Sequence, residues 1–232
     1  YNHVSMDGIE WNTIHTIAGM SGSGKTAIIN QLETELFLLN PDENFAVLSF
    51  NFEMLARQLV SRKLSNKLNT IEKFVQEDFN KDRGIMVMLD HTILVRGKQG
   101  EMERLVLVEL MIMANALKKQ LKISFVFLSQ LNREIESADR ITEPSQQFPK
   151  KKDLFGGDSV FMFSDLVMVS MNPEQLGLDT YGAKAWPTAG ALFWHFIKVR
   201  EGQPCIAKMK NELKYNRVID FPKEVNYQLK IK

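Results

Sequence analysis

Residues 19–26 read Gly-Met-Ser-Gly-Ser-Gly-Lys-Thr, with the spacing G-x-x-x-x-G-K-[ST]. No other feature constrains the fold as tightly. An apolar run, residues 13–18, leads into it, and a helix-like run, residues 27–39, leaves it. A strand that turns through glycines directly into a helix is the setting in which this motif has a mechanism. The glycines let successive backbone N–H groups turn toward phosphate oxygens, and the helix N-terminus adds the positive end of its dipole. Gly19, Ser21, Gly22, Ser23 and Gly24 would form the cradle. Lys25 would reach the β- and γ-phosphates of a nucleoside triphosphate, and Thr26 would ligate Mg²⁺.

The chain has 232 residues, enough for one large α/β domain or two small ones. Its 44% hydrophobic and 25% charged residues are ordinary for a globular protein. A single cysteine, Cys205, excludes an internal disulfide and a multi-cysteine zinc site. No apolar run approaches the ~18 residues needed to span a bilayer. A cytoplasmic location without a membrane partner is expected. The chain begins at Tyr1 rather than Met, which leaves missing flanks open.

Net charge is +1 but unevenly spread: residues 198–232 hold nine Lys/Arg against four Asp/Glu. This basic stretch and the run Lys150-Lys151-Lys152 fit either a phosphate-backbone contact or an ordinary solvated surface.

Apolar, strand-like runs recur at residues 45–50, 85–89, 123–128, 166–171, 191–199, 206–210 and 215–221. Helical periodicity marks residues 54–64, 70–79 and 102–121. Strands alternating with helices in the first half predict parallel βαβ units. Strands without intervening helices predict antiparallel hairpins at the C-terminus. The fold class expected is α/β: a central, mostly parallel twisted sheet flanked by helices, closed by antiparallel strands. Residues 137–159, with two prolines, two glycines and three consecutive lysines, read as a long loop of the kind that is functional or disordered.

Three further segments bear on hydrolysis. Asp90 ends an apolar strand and would hold the hydration shell of Mg²⁺. His91, not a glutamate, follows it, so a general base must lie elsewhere. Glu53 follows the strand at 45–50 and fits either a water-activating carboxylate or an acid at a helix N-terminus. Ser129-Gln130-Leu131-Asn132-Arg133 leaves a buried strand directly. Gln130 could contact a γ-phosphate, while Ser129 could equally be a helix N-cap.

Taken in order, the motif at 19–26, the Asn51-Phe52-Glu53-Met54 block, the strand ending at Asp90 and the Ser-Gln-Leu-Asn-Arg block resemble the RecA-like motor domain of DnaB-type replicative helicases. Residues 197–204, Ile-Lys-Val-Arg-Glu-Gly-Gln-Pro, are similar to that family's lysine–arginine finger segment. The resemblance spans residues 14–221 and implies one RecA-like ATPase domain over residues 1–232. It implies ATP and Mg²⁺ as ligands, Glu53 as the water-activating base and Gln130 as the γ-phosphate sensor. Lys198 and Arg200 would act in trans on a neighbour's nucleotide, although their spacing alone also fits solvent-facing positions on an edge strand.

The same resemblance implies a homo-oligomer, a hexameric ring around single-stranded DNA, with primase or a helicase loader as further partners. The DNA-facing candidates are Arg96 and Lys98 in one loop, and Lys150, Lys151, Lys152, Gly156 and Gly157 in a second. In the second loop Phe155-Gly156 replaces the family's Arg-Glu pair, and Phe155 reads more readily as a buried loop anchor than as a base-stacking ring. The interval between Glu53 and Asp90 is short for the family. Its N-terminal helical domain is not represented, which a small phage-type helicase or an isolated motor domain would explain. The competing readings, in order, are a RecA-like recombination ATPase, a regulatory ring and a small-molecule kinase.

Overall fold

The computed structural model describes residues 8–51, 83–90, 103–221 and 229–230. The sequence-predicted helices at 54–64 and 70–79, together with Glu53, His91, Arg96 and Lys98, lie outside the described residues. Four parallel pairings build the centre. β1 (Ile14–Gly19) pairs with β4 (Ile123–Gln130) on one side and β5 (Leu166–Met171) on the other. β3 (Gly84–Asp90) joins β4 to β2 (Phe45–Asn51). The sheet then turns antiparallel through β8 (Ala191–Val199), β9 (Cys205–Glu212) and β10 (Arg217–Asp220). The order across the sheet is β10-β9-β8-β5-β1-β4-β3-β2, and β11 (Leu229–Lys230) adds to β9. A separate two-stranded hairpin, β6 (Thr180–Tyr181) and β7 (Trp186–Pro187), lies off this sheet.

The parallel strands read as continuous apolar runs because helices cover both of their faces. Side chains alternate between those faces with period two. Ile85, Val87 and Leu89 of β3 face one cluster with Phe125 and Phe127 of β4. Met86 and Met88 face the other with Val126 and Leu128. The first cluster is covered by α2 (Glu103–Gln120), whose Leu107, Leu110, Met111, Ala114 and Leu117 fall on one helical face. The second is covered by α1 (Lys25–Leu39) through Ile28 and Ile29. Each fully buried side chain of this kind contributes about 1.5–3 kcal/mol. These two helices, on opposite faces, fix the carboxyl ends of β1, β3 and β4 along one edge.

The predicted loop at 137–159 is more structured than its composition suggests. It holds α3 (Ala138–Thr142), short 3-10 turns at Pro144–Gln146 and Lys151–Asp153, and the start of α4 (Gly157–Phe163). The run predicted as a strand at 215–221 splits into a 3-10 turn, Leu213–Tyr215, and β10.

Candidate nucleotide site

The strand-to-helix turn places the motif at the carboxyl edge of the sheet. Gly19 ends β1 and Gly24 caps α1 in the left-handed region, with φ 87°. A side chain at Gly24 would be strained there, and its Cβ would lie 2.7 Å from Leu213 Cδ2. At Gly19 the obstruction is backbone: a Cβ would lie 2.7 Å from the Ser170 carbonyl. Ser23 Oγ donates to the Met20 carbonyl at 2.9 Å, and Ser170 Oγ donates to the Ser23 carbonyl at 2.6 Å. The loop is thus tied to β5 as well as to its own strand.

Lys25 is buried, and its Nζ donates to the carbonyls of Gly19 at 2.8 Å and Met20 at 2.7 Å. The ammonium therefore sits inside the curve of the loop. Thr26 Oγ1 donates to Asp90 Oδ2 at 3.3 Å, so the two residues expected to hold Mg²⁺ meet across β1 and β3. Asp90 is itself buried at the end of β3. Gly19 lies level with Gln130 in the β1–β4 register, so the end of β4 stands beside the loop. This donor set fits a triphosphate with Mg²⁺: a glycine cradle that excludes Cβ atoms, one buried ammonium, and a hydroxyl paired with a carboxylate.

Gln130 is also the root of the lysine-bearing segment. Its carbonyl accepts from Phe155 N at 3.0 Å, Asn132 N donates to the Asp153 carbonyl at 2.7 Å, and Leu131 bridges Leu154. Arg140 and Asp153 form a buried ion pair beneath it, with contacts at 2.5 and 3.0 Å. Lys150, Lys151 and Lys152 are exposed. Lys151 pairs with Asp158 at 2.6 Å, which draws the Asp158 carboxyl below its ordinary range, and Lys152 lies 3.7 Å from Glu134. Gly156 has φ 77° and abuts Leu107 of α2, while Gly157 has open space around it. Phe155 is partly buried against the α2 cluster, the anchoring position its sequence context suggested.

Lys198 and Arg200 stand at the other edge. Val199 is level with Leu166, whereas Ser170, four residues along β5, is level with Gly19. At about 3.3 Å per residue that is ~13 Å of strand, before the height of the loop is added. Within one chain the two finger candidates are therefore remote from the phosphate cradle. Lys198 Nζ donates to the Phe161 and Met162 carbonyls, and Arg200 pairs with Asp165. Burial, then the charge of Arg200, pulls the Lys198 ammonium below its usual range.

Several contributors were missed in the sequence. Ser170, Gln175 (beside Gly22) and Leu213 (beside Gly24) all contact the loop from distant segments. Tyr215, two residues beyond Leu213, is exposed, with Lys214 Nζ 4.7 Å from its ring centroid. Asn172, just past β5, keeps its Oδ1 buried without a hydrogen-bond partner among the described residues. Only a strand-end position hints at any of these, because the contacts are made through folding.

No protein-family model matches the chain, and no curated protein sequence matches it. Solved structures do match. The ATPase domain of a helicase, solved on its own, superposes with a TM-score of 0.69 at 14% identity, over 94% of this chain and 88% of that one. A DnaB-like replicative helicase, described together with its interactions with primase, matches at 0.69 and 13%, over 95% of this chain. This chain spans 61% of that helicase's length. The KaiC-like protein PH0186 from Pyrococcus horikoshii OT3 matches at 0.54 and 14%, over 96% and 95% of the two chains. The fold is therefore RecA-like, with the sheet order and antiparallel closure expected from the sequence. It is the fold shared by DnaB-type motor domains and KaiC-like proteins.

Proposed function

We propose that this chain is the ATP-hydrolysing motor domain of a DnaB-type replicative DNA helicase. It would hydrolyse ATP at subunit interfaces to move along single-stranded DNA and separate strands. The observation that carries the reading is the split geometry. Lys25, Thr26, Asp90 and Gln130 converge at one edge of the sheet, and the finger candidates Lys198 and Arg200 stand at the other. A site divided in this way is complete only when a second copy brings its opposite edge to the first, as in a ring of cytoplasmic subunits. Primase or a loader would be an additional partner of that ring.

Each residue then has a task. The loop N–H groups and Lys25 bind the triphosphate, and Thr26 and Asp90 would hold Mg²⁺, which neutralises charge on the phosphate oxygens. Glu53 orients the attacking water, and Gln130 contacts the γ-phosphate. Arg200 from the neighbour offsets charge in the transition state, a contribution of ~10³–10⁵ in rate where arginine fingers have been measured. Lys150, Lys151 and Lys152, with Arg96 and Lys98, would hold DNA phosphates without reading bases. The hydrogen bonds from Phe155 and Asn132 link that segment to Gln130.

The likeness to a KaiC-like protein favours a second reading, a RecA-like ATPase that assembles on DNA without unwinding it. ATP hydrolysis with and without single-stranded DNA, with oligomer mass measured alongside and strand separation assayed next, decides between them. The motor predicts strong stimulation in a ring-sized oligomer and unwinding of a forked duplex. Stimulation without unwinding moves the assignment to the second reading, and hydrolysis indifferent to DNA removes both.

A further inference from the structure

Both finger candidates rest on one short stretch of chain, residues 161–165. Lys198 Nζ donates to the carbonyls of Phe161 at 2.5 Å and Met162 at 3.0 Å, in the last turn of α4. Arg200 Nη1 meets Asp165 Oδ1 at 2.5 Å, and Arg200 N donates to the Asp165 carbonyl at 2.9 Å. The two members of this ion pair differ sharply in burial: the Arg200 side chain is 56% exposed and that of Asp165 is 8% exposed.

The Asp165 carboxylate is held without Arg200. Its Oδ2 accepts from Lys118 Nζ at 2.5 Å and from Ile14 N at 2.7 Å. Lys118 is buried and comes from α2, while Ile14 opens β1. One oxygen is thus fixed by the core, and the other is presented at the sheet edge to an exposed guanidinium. An exposed ion pair adds little to stability. What it does here is confine a long side chain that would otherwise sample many rotamers. Only Nη1 is engaged with the carboxylate, which leaves further guanidinium donors for phosphate oxygens.

We infer that Asp165 is the positioning residue for Arg200: it seats the guanidinium at the sheet edge before a neighbouring chain's triphosphate arrives. The inference rests on the trans role proposed for Arg200. The seat also adjoins the lysine-bearing segment. Lys151 and Lys198 lie 5.3 and 5.2 Å from the centroid of the same Phe161 ring, so a shift of α4 moves both.

The test is complementation between variants in the assembled oligomer. Asp165→Asn, Arg200→Ala and Asp90→Asn are each assayed for ATP binding and for DNA-stimulated hydrolysis, alone and mixed. Asp90→Asn disables its own site but keeps a seated finger. Asp165→Asn is expected to bind ATP as the parent does and to lose about 10²-fold in kcat, the scale of a 1 Å misplacement. Mixing it with Asp90→Asn restores hydrolysis, because the second chain supplies a seated Arg200 to the intact site of the first. A defect confined to folding or to the variant's own site is not rescued this way. If Arg200→Ala is rescued and Asp165→Asn is not, the finger reading stands and the positioning role falls. If Arg200→Ala hydrolyses ATP normally, the finger reading itself falls. An Asp165→Asn chain as active as the parent, or more active, overturns the seat. Should Asp165→Asn not fold, Asp165→Glu is read in the same mixtures. It keeps the charge that holds Lys118 and displaces the carboxylate by one methylene, so the same loss and the same rescue are expected.

Discussion

Lys25 holds two carbonyls of its own loop, Gly19 and Met20, at hydrogen-bond distance. Lys25→Ala removes the buried ammonium at the cradle, and charge-assisted bonds of this kind contribute about 1.5–3 kcal/mol each. ATP affinity is expected to fall by about 10²-fold while the chain stays folded; equilibrium binding of a fluorescent ATP analogue with circular dichroism checks both. Two other side chains set the pH range of the fold. Burial lowers His15 to about 4 and His195 to about 3, against 6.5 for an ordinary histidine. Both are neutral in the folded chain, His195 bonded to Tyr181 and His15 to Thr13. The unfolded chain takes up protons below about 6.5 and the folded chain does not. Stability is therefore full above that pH and declines as pH falls, by about 2 kcal/mol per histidine at pH 5. Urea midpoints at pH 7.5 and 5.0 measure the decline, and His195→Gln should shrink it. An unchanged midpoint across that range would show that neither histidine is held neutral. At this scale the sequence was informative where a residue's role is set by local spacing, as for Lys25 and Thr26. It was silent for Ser170, Leu213 and Asp165, whose partners lie many residues away.

The elements divide by what stabilises them. β1, β3, β4 and β5 were legible because strands buried on both faces leave continuous apolar runs, and α2 because five core residues repeat at helical spacing. The stretch at 137–159 was legible only as a loop, since its order comes from one buried ion pair rather than from periodicity. Arg140 reaches the Gln146 and Phe148 carbonyls and both oxygens of Asp153, and Asp153 also accepts from Lys150 N. Arg140→Ala would strand a fully buried carboxylate, a change that costs about 3–5 kcal/mol. The loss should be local. Amide exchange at Asn132, Asp153 and Phe155 is expected to accelerate, while ATP binding persists because Lys25 and Thr26 lie on other elements. DNA stimulation of hydrolysis should weaken in the same variant, since the lysines would lose their fixed attachment to the end of β4. Exchange rates unchanged at those three amides would show that the backbone pairing with Asn132 suffices without the ion pair.

At the scale of the whole molecule, what matters is that the phosphate cradle and the arginine meant to serve it stand at opposite edges of one sheet. The β5–β8 register fixes that separation: antiparallel pairing carries the chain from Phe193, level with Met171, back to Val199, level with Leu166. The sequence could suggest a finger at Arg200 only through resemblance, because its spacing fits an edge strand equally well. The separation also sets a kinetic expectation. A site completed by a second chain loses activity when chains part, whereas a self-contained site does not. Specific activity for ATP hydrolysis should therefore fall as the protein is diluted through its assembly range. ATP binding per chain, which uses the cradle alone, should hold steady over the same range. Raising the salt concentration should act like dilution on the DNA-stimulated rate, since phosphate contacts by Lys150, Lys151 and Lys152 weaken with ionic strength. Light scattering on the same samples ties the loss of rate to the loss of mass. A specific activity that stays constant down to a demonstrated monomer would mean that hydrolysis is completed within one chain. Lys198 and Arg200 would then be left as partners of α4 and Asp165 alone.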